Sequence, residues 1–154
     1  MVYKYSLFVN LLKHMVIREL IEDDYRFPEA AKLVFSEVYG DRSERFDEDR
    51  VGALRIPCYV NYCAENSSCL LGVGTIDISG MGLGVASLTN IVVARGFRRK
   101  GIGEELVSFL EAESKNKGAS IVRLDSLSEA RDFYASLGYR CINPAEPLKL
   151  AKPL

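Results

Sequence analysis

The chain has 154 residues, of which 48% are apolar, and it carries 20 basic and 21 acidic side chains for a formal net charge of −1. That size and composition suffice for one compact domain whose core needs neither disulfides nor metal ions. Charges of both signs are interspersed, so the chain has no broad basic field of the kind that binds nucleic acid or an anionic membrane.

The first fourteen residues differ in character from the rest of the chain. Their apolar run, Tyr5 to Leu12, has no small-residue cleavage site and is too short to span a bilayer. Met15 opens a segment that is itself typical of the start of a domain. We therefore expect residues 1–14 to be an N-terminal extension, residues 15–154 to form a single domain, and the protein to be cytoplasmic.

The cysteine and histidine content gives little support to a metal site. The four cysteines include no Cys-x-x-Cys pair, and His14 is the only histidine. Tetrahedral zinc sites need four such ligands at characteristic spacings. We expect no bound metal.

Two elements are predicted in the first forty residues. Val16–Leu20 has the pattern of a strand, and a helix follows in which Pro28 suits the first turn and Gly40 the end. The charged stretch Asp41–Arg50 fits either a loop or a short mobile helix. The apolar positions at helical spacing, which should face the core, are Phe27, Ala30, Ala31, Val34 and Val38.

Three strands are predicted next. Ile56–Cys63 and Cys69–Ile78 are rich in β-branched and aromatic residues and flank the turn-forming stretch Glu65–Ser68. Glycines at 80, 82 and 84 then break the chain, and Val85–Val93 resumes as a strand. The pattern predicts a three-stranded antiparallel meander.

The last third alternates helices and strands. One helix begins near Ile102 and ends at Gly118, a short buried strand spans Ile121–Leu124, and a second helix ends at Gly138. Leu148 and Leu150 indicate a final strand. The sequence thus predicts an α/β protein with a mixed (α+β) sheet, in which the strands on either side of the Ile102 helix form a parallel pair. Ligands of such sheets favour the carboxyl ends of strands, here Val93 and Asp125.

The segment from Ile91 to Glu104 combines an apolar strand, a basic turn and a helix start. Gly101 and Gly103 let the backbone approach a ligand, while the first amides of the helix lack partners and its dipole adds positive potential. Arg98, Arg99 and Lys100 add formal charge suited to a diphosphate. Solvated basic residues at an ordinary glycine-containing turn are the alternative. The spacing matches neither a Walker A loop nor the dinucleotide fingerprint.

Two motifs give this segment a specific resemblance. Arg98-x-x-Gly101-x-Gly103 after an apolar strand is similar to the acetyl-CoA-binding motif of the GNAT superfamily of N-acetyltransferases, and Ala130–Tyr139 resembles that family's helix ending in Phe-Tyr-x-x-Leu-Gly-Phe/Tyr. The resemblance implies an antiparallel N-terminal meander followed by β-α-β-α-β, with the parallel strand pair at the acyl-CoA cleft. It also leaves room for a homodimer, since such sheets often pair across subunits.

The resemblance implies site residues by position. Backbone groups of the strand would pair with the pantetheine arm, the turn and helix start would hold the pyrophosphate, and Ser126 or Ser128 would replace an asparagine contact that many relatives make. Ser128 could equally cap the next helix. The residues implied for acetyl-CoA binding are Ile91, Val92, Val93, Arg98, Arg99, Lys100, Gly101, Ile102, Gly103, Glu104 and Ser126.

Tyr134 is the implied catalytic residue. A phenol holds its proton at neutral pH and could donate it to the departing thiolate or hydrogen-bond the sulfur. The alternative is a core aromatic beside Phe133.

The general base has no clear candidate. Many relatives place a carboxylate on the strand before the turn, but the positions alternating back from Val93 are Ile91, Thr89 and Ser87. Water chains, a neutral amine or Asp125 at a strand end could serve instead, although an aspartate there often caps a turn.

These observations predict an N-acetyltransferase that transfers an acetyl group from acetyl-CoA to a primary amine of an unidentified small molecule or protein. The alternatives are an acyl-CoA-binding module or sensor with little turnover, and a domain whose anion-binding turn takes an unrelated nucleotide. The chain also contains an acidic group that could attract a cationic amine, made up of Glu44, Asp47, Glu48 and Asp49. Arginines lie between these residues, so the alternative is a solvated surface whose charges neutralise one another.

Overall fold

The computed structural model describes residues 12–38, 52 and 54–154, so the predicted loop or helix at Asp41–Arg50 and its acidic group lie outside the described residues. Within those ranges, seven strands form one mixed sheet in the order β1-β2-β3-β4-β5-β7-β6, and three α-helices pack against it. The strands are β1 (Val16–Glu19), β2 (Tyr59–Glu65), β3 (Leu70–Asp77), β4 (Val85–Val93), β5 (Ile121–Ser126), β6 (Arg140–Asn143) and β7 (Leu148–Pro153). The helices are α1 (Phe27–Val38), α2 (Ile102–Asn116) and α3 (Arg131–Ser136).

The antiparallel half, β1 to β4, confirms the predicted meander and its preceding strand and helix. Helix α1 buries Phe27, Ala30, Ala31 and Val34 against one face of β3 and β4. Val38, expected on the same buried face, is 49% exposed. Val38, in the last turn of α1, instead lines a cleft.

Strand β4 contains a bulge. Val73 pairs with Val92 and Thr75 with Thr89, so Gly74 of β3 faces two residues of β4, Asn90 and Ile91. Asn90 adopts a left-handed φ of 51°, which asparagine tolerates better than most side chains. The strict alternation back from Val93 assumed in the sequence is therefore wrong, because the bulge moves Ser87 and Thr89 to the α1 face while Val93 faces α2.

A buried chain of polar side chains lies at the bulge. Thr75 donates its hydroxyl to Oδ1 of Asn61 at 2.7 Å, Asn61 donates to the carbonyl of Leu54 at 2.8 Å, and Asn90 Nδ2 lies 3.5 Å from the Thr75 hydroxyl. Buried polar atoms are costly unless they are paired. This chain therefore anchors the bulge to β2 and β3.

The predicted parallel pair is present, but it is short. β4 and β5 pair from Val85↔Ile121 to Leu88↔Leu124, after which the two strands separate and β4 runs on to Val93. Backbone groups on that edge of β4 beyond Leu88 have no strand partner on the β5 side of the described sheet. The sheet thus opens into a V at its centre.

In the second half, α2 confirms the predicted helix from Ile102, ended near Gly118, whose φ is +101°. Strand β5 was expected to be buried throughout, but only alternate residues are buried: Val122, Leu124 and Ser126. Helix α1 does not extend over β5, which leaves Ile121 and Arg123 exposed on that face. Strand β6, missed in the sequence, is an edge strand with every residue exposed, so it has no apolar alternation to detect.

Helix α3 ends as predicted. Gly138 adopts a φ of +92°, and the Tyr139 ring packs edge-on against Tyr134 with centroids 5.7 Å apart. The alternative that Ser128 caps this helix is wrong, because its hydroxyl and amide bind Glu146 instead.

The residues before β1 also contact the domain. Leu12 and Met15 pack against the buried cluster of Ala64, Leu71 and Ile102. A boundary after residue 14 stays a prediction. No helix in the described part of the chain is both long and apolar enough to cross a membrane.

Candidate active site

The opening between β4 and β5 is a cleft with a volume of about 1010 Å³. Its floor is the point where the strands separate, at Leu88 and Leu124. One wall is β4 from Thr89 to Val93, and the other is the end of β5 with the start of α3. The carboxyl ends of both parallel strands meet here, the position expected for a ligand.

The cleft passes through the sheet, so its lining divides by face. Ser126, buried beside Leu127 and Tyr134, lies on the face that α2 covers. The opposite face, on the side of α1, presents polar side chains from strands and a helix: Glu37, Tyr59, Asp77, Ser87, Thr89, Arg123, Asp125 and Lys149. A group that entered from one face would therefore meet a group bound on the other.

The turn that follows the carboxyl end of β4 forms a cradle of backbone amides. Arg99 and Gly101 have φ values of +58° and +80°, and α2 begins directly after them. The first amide of this region to bond within the helix is that of Glu105, to the carbonyl of Gly101 at 3.1 Å, so the amides of Ile102, Gly103 and Glu104 donate no backbone hydrogen bond to a described residue. Three such amides at the positive end of a helix dipole fit a diphosphate.

Gly103 has a packing role as well. A Cβ there would be in van der Waals contact with Phe133 and Val93, 3.4 Å from Cζ of the first and 3.6 Å from Cγ2 of the second, so a side chain larger than that of alanine would have to displace one of them. Glycine thus lets the start of α2 lie close to α3 and β4.

Arg98 is held in place by a residue that the sequence did not indicate. Its guanidinium donates to the Val93 carbonyl at 2.9 Å and to Glu37 of α1 at 2.7 Å, and Arg95 binds the same carboxylate at 2.9 Å. The hydrogen bond from Arg98, opposed by partial burial, lowers the pKa of Glu37. Glu37 therefore stays ionised and orients Arg98 at the rim.

The predicted cofactor-binding residues fall into two groups. Ile91, Val92, Val93, Arg98 and Ser126 line the cleft. The others form the turn and the first turn of α2 above it, and there the side chain of Ile102 is buried in the core, which leaves only its amide for a ligand. These others are Arg99, Lys100, Gly101, Ile102, Gly103 and Glu104.

Tyr134 lies on the α2-covered side of the cleft. Its ring is nine-tenths buried between Phe133 and Tyr139, while its hydroxyl has no hydrogen-bond partner within the described residues and lines the cleft. Burial raises the pKa of Tyr134 to about 12. At neutral pH this phenol is a proton donor with nothing in the described chain to receive its hydrogen bond.

Among the described residues, the cleft contains three carboxylates, and none comes from β4. Glu37 is paired with the two arginines, and Asp125, the candidate from the sequence, is paired with Lys149 at 2.5 Å. The sequence did not indicate Asp77, at the end of β3, because an aspartate before a turn usually binds the backbone of that turn. In the structure its carboxylate does accept a hydrogen bond from the amide of Ser79 at 2.9 Å. Partial burial acts to raise the pKa of Asp77, but hydrogen bonds from Ser79 and Cys58 outweigh it and lower that pKa.

Within residues 12–38, 52 and 54–154, no group of three or more histidine, cysteine, aspartate or glutamate side chains is arranged to hold a metal ion. The described polar groups of the cleft are amides, hydroxyls, carboxylates and cations. Together, an open strand edge, a cradle for a diphosphate and a buried phenol describe a transferase that binds an extended, diphosphate-bearing donor through the centre of its sheet.

The chain belongs to the acetyltransferase (GNAT) family, whose model matches residues 16–139. It is 31% identical over 113 residues to BSU40680 of Bacillus subtilis (strain 168), a protein provisionally named as an acetyltransferase, and the match covers 73% of each chain. The family match confirms the resemblance drawn from the two motifs.

Solved structures share the fold. An aminoglycoside 6'-N-acetyltransferase complexed with coenzyme A superposes with a TM-score of 0.72 at 20% identity, over 90% of this chain and 96% of that one. The aminoglycoside 6'-N-acetyltransferase from Enterococcus faecium gives a TM-score of 0.73 at 18% identity, with the same coverage. These similarities confirm the predicted mixed α/β architecture.

Proposed function

We propose that this acetyltransferase uses acetyl-CoA as its donor and transfers the acetyl group to a primary amine. The observation that carries the proposal is the alignment of three features along one cleft. The amide cradle follows Arg98, which lines one end of the cleft; the edge of β4 that β5 leaves unpaired forms one wall, and Tyr134 lies in the other. The coenzyme A complex of a protein with the same fold supports the same donor.

The donor would be held mainly by backbone. The amides of Ile102, Gly103 and Glu104 would receive the pyrophosphate, with Arg98 at the rim and Arg99 and Lys100 outside it. The edge of β4 from Ile91 to Val93 would pair with the amides of the pantetheine arm as an added strand does. Ser126, whose hydroxyl donates to the Leu127 carbonyl at 2.9 Å, faces this arm from β5.

The bound donor supplies a thioester that a neutral amine can attack. Tyr134 would give its proton to the departing sulfur or hydrogen-bond it, and its pKa of about 12 keeps that proton available throughout the neutral range. The ring of Tyr134 is nine-tenths buried, which limits the access of water to this proton donor.

The fate of the acceptor's proton depends on the carboxylates. An alkylammonium has a pKa near 10, far above that of Asp77, whose pKa hydrogen bonds from Ser79 and Cys58 hold below its ordinary value. Asp77 would therefore hold the ammonium form and could not retain its proton. The ammonium proton leaves to solvent, and the neutral fraction of the amine reacts. The nitrogen loses a second proton to solvent as the amide forms, which balances the proton that Tyr134 gives to the sulfur and later regains from solvent.

Calorimetry with acetyl-CoA, CoA and ADP tests the donor. We expect micromolar acetyl-CoA binding in the wild type and its loss in a variant that combines Arg98→Ala with Gly101→Glu. Arg95→Ala combined with Gly96→Glu is the matched control, because it makes the same change of charge between β4 and α2, and a Cβ at Gly96 has no atom within 4 Å. No binding to the wild type would overturn the proposal.

Thiol release with a panel of amines tests turnover. Tight acetyl-CoA binding without release from any amine would identify the binding module considered as the alternative from the sequence. A cytoplasmic location and a homodimer also stay predictions from the sequence.

A further inference from the structure

Three side chains from neighbouring strands form a row across the α1 face of the cleft. Asp77 of β3 pairs with Ser87 of β4, and Ser87 pairs with Arg123 of β5. Paired residues on adjacent strands project from the same face of a sheet. The row lies one residue below Leu88 and Leu124, where the strands separate, so it borders the point at which the acetyl group would react.

The two charges of this row lack charged partners among the described residues. No arginine or lysine of the described chain pairs with Asp77, and the Arg123 guanidinium makes no hydrogen bond or ion pair with a described residue. Both side chains line the cleft. An anionic and a cationic group are thus available on the two sides of one serine.

The other described carboxylates of the cleft are already neutralised. Glu37 is paired with Arg98, and Asp125 with Lys149. A polycationic acceptor would meet, in the described part of the cleft, only one carboxylate without a cation and would be repelled by Arg123. An acceptor with one positive and one negative group would complement the wall.

We propose that the acceptor is a small zwitterionic amine, which presents its ammonium group to Asp77 and a carboxylate or phosphonate-type anion to Arg123. This inference rests on the proposed acetyl transfer. The Cα atoms of Asp77 and Arg123 are two strand spacings apart, roughly 10 Å. The long arginine side chain can close most of that distance, so an amine and an anion separated by a few bonds can contact both residues.

The test compares each acid with its methyl ester, which lacks the anion, and expresses kcat/KM per neutral amine, because esterification lowers the pKa of the amine. Thiol release from acetyl-CoA is followed with glycine, β-alanine and 4-aminobutyrate, each beside its methyl ester, with 2-aminoethylphosphonate as the second anion and spermidine as a polycation. We expect the wild type to use at least one of these acids, or the phosphonate, with a kcat/KM at least tenfold above the esters. The carboxylate and phosphonate arms distinguish the two anions.

Variants assign the preference to the row. Arg123→Gln should abolish the preference for the acid over its ester, and Asp77→Asn should lower kcat/KM at least tenfold for both. Arg140→Gln is the matched control, because Arg140 is exposed in the same row of the sheet, beyond Ala151 and outside the cleft. Acetyl-CoA binding by calorimetry should be unchanged in all three variants, which verifies folding and the donor site.

Several outcomes would overturn the inference while leaving acetyl transfer intact. These are equal use of acids and esters, a preference for spermidine, an acid preference that survives Arg123→Gln, and turnover of other amines but of no member of the panel. Failure of the wild type to bind acetyl-CoA would instead overturn the proposed function itself.

Discussion

The two sides of the cleft are built in different ways. The side proposed for the donor is a continuous segment, from the edge of β4 through the basic turn to the start of α2, and it offers mostly backbone amides. The side proposed for the acceptor consists of side chains from separate strands, among them Asp77, Ser87 and Arg123. Binding by backbone amides persists when side chains are substituted. The side chains of the row, by contrast, can be substituted without altering any strand. One fold can thus keep its donor while its acceptor differs.

Gly103→Val should break the donor side most completely. The added methyl groups would collide with Phe133 and Val93, whose atoms lie 3.4 and 3.6 Å from the position of a Cβ. We expect acetyl-CoA affinity to fall by about 100-fold or more and stability to fall by about 1–3 kcal/mol. Calorimetry and urea denaturation measure the two effects, with Gly96→Val as the control in an open position. Unchanged affinity would show that the cradle does not bind the donor.

Tyr134→Phe should lower kcat by about 100-fold, the usual contribution of a positioned acid, with little change in acetyl-CoA affinity. Stability should hardly change, because the lost hydroxyl has no partner within the described chain. Tyr139→Phe removes the neighbouring phenol, which lies in the core near Glu111, and should leave kcat intact. Equal turnover in both variants would exclude Tyr134 as the acid.

The pH profile sharpens the comparison between the two sides. On the acceptor side, kcat/KM should rise about tenfold per pH unit up to the pKa of the amine, because Asp77 is already ionised and only the neutral amine reacts. On the donor side, loss of the Tyr134 proton should lower the rate only as the pH approaches about 12. A decline of kcat between pH 8 and 10, at constant stability, would contradict this assignment.

Asn90→Val should destabilise the junction between the two sides. A β-branched residue fits poorly at a φ of 51°, and the substitution also removes the bond to Thr75. We expect a loss of about 2–3 kcal/mol in the free energy of unfolding. Asn90→Gly keeps the conformation and loses only the side chain, so it should cost less. An equal cost for both variants would mean that the backbone conformation is unstrained.

Arg95→Ala should have the smallest effect. Its ion pair with Glu37 is solvent-exposed, with 79% of the arginine side chain accessible, and such pairs contribute less than about 1 kcal/mol. Thermal unfolding and acetyl-CoA calorimetry should both match the wild type within that limit. A tenfold loss of affinity would mean that Glu37 needs both arginines to orient Arg98.

The contrast between the two sides also explains what could be predicted from the sequence. The donor segment is contiguous in the sequence, and its glycines are recognisable as positions where the backbone must turn or approach a ligand closely. The boundaries predicted for β4 agree with the structure. Glu37 and Asp77 lie on other elements and come together only through register. The sequence around Asp77 signals a turn, and nothing in it indicates that Arg123 is opposite Ser87.

The bulge shows the same limit within one strand. It depends on the pairing of β3 with β4, in which Gly74 is opposite two residues of β4. An asparagine inside an apolar strand is a weak local signal for it. Periodicity alone therefore assigned the β4 side chains to the wrong faces. Strand β6 was missed because an exposed edge strand has no buried pattern.

Because β4 and β5 pair only as far as Leu88 and Leu124, any change in the angle between the two strands would pivot at that point. From there β4 extends five residues to Val93, roughly 16 Å at about 3.3 Å per residue. A change of about 10° in the angle between the strands would move the mouth by about 3 Å and the pivot hardly at all. The nucleotide end of a donor would thus meet an adjustable opening, while the atoms that react would stay at the fixed end.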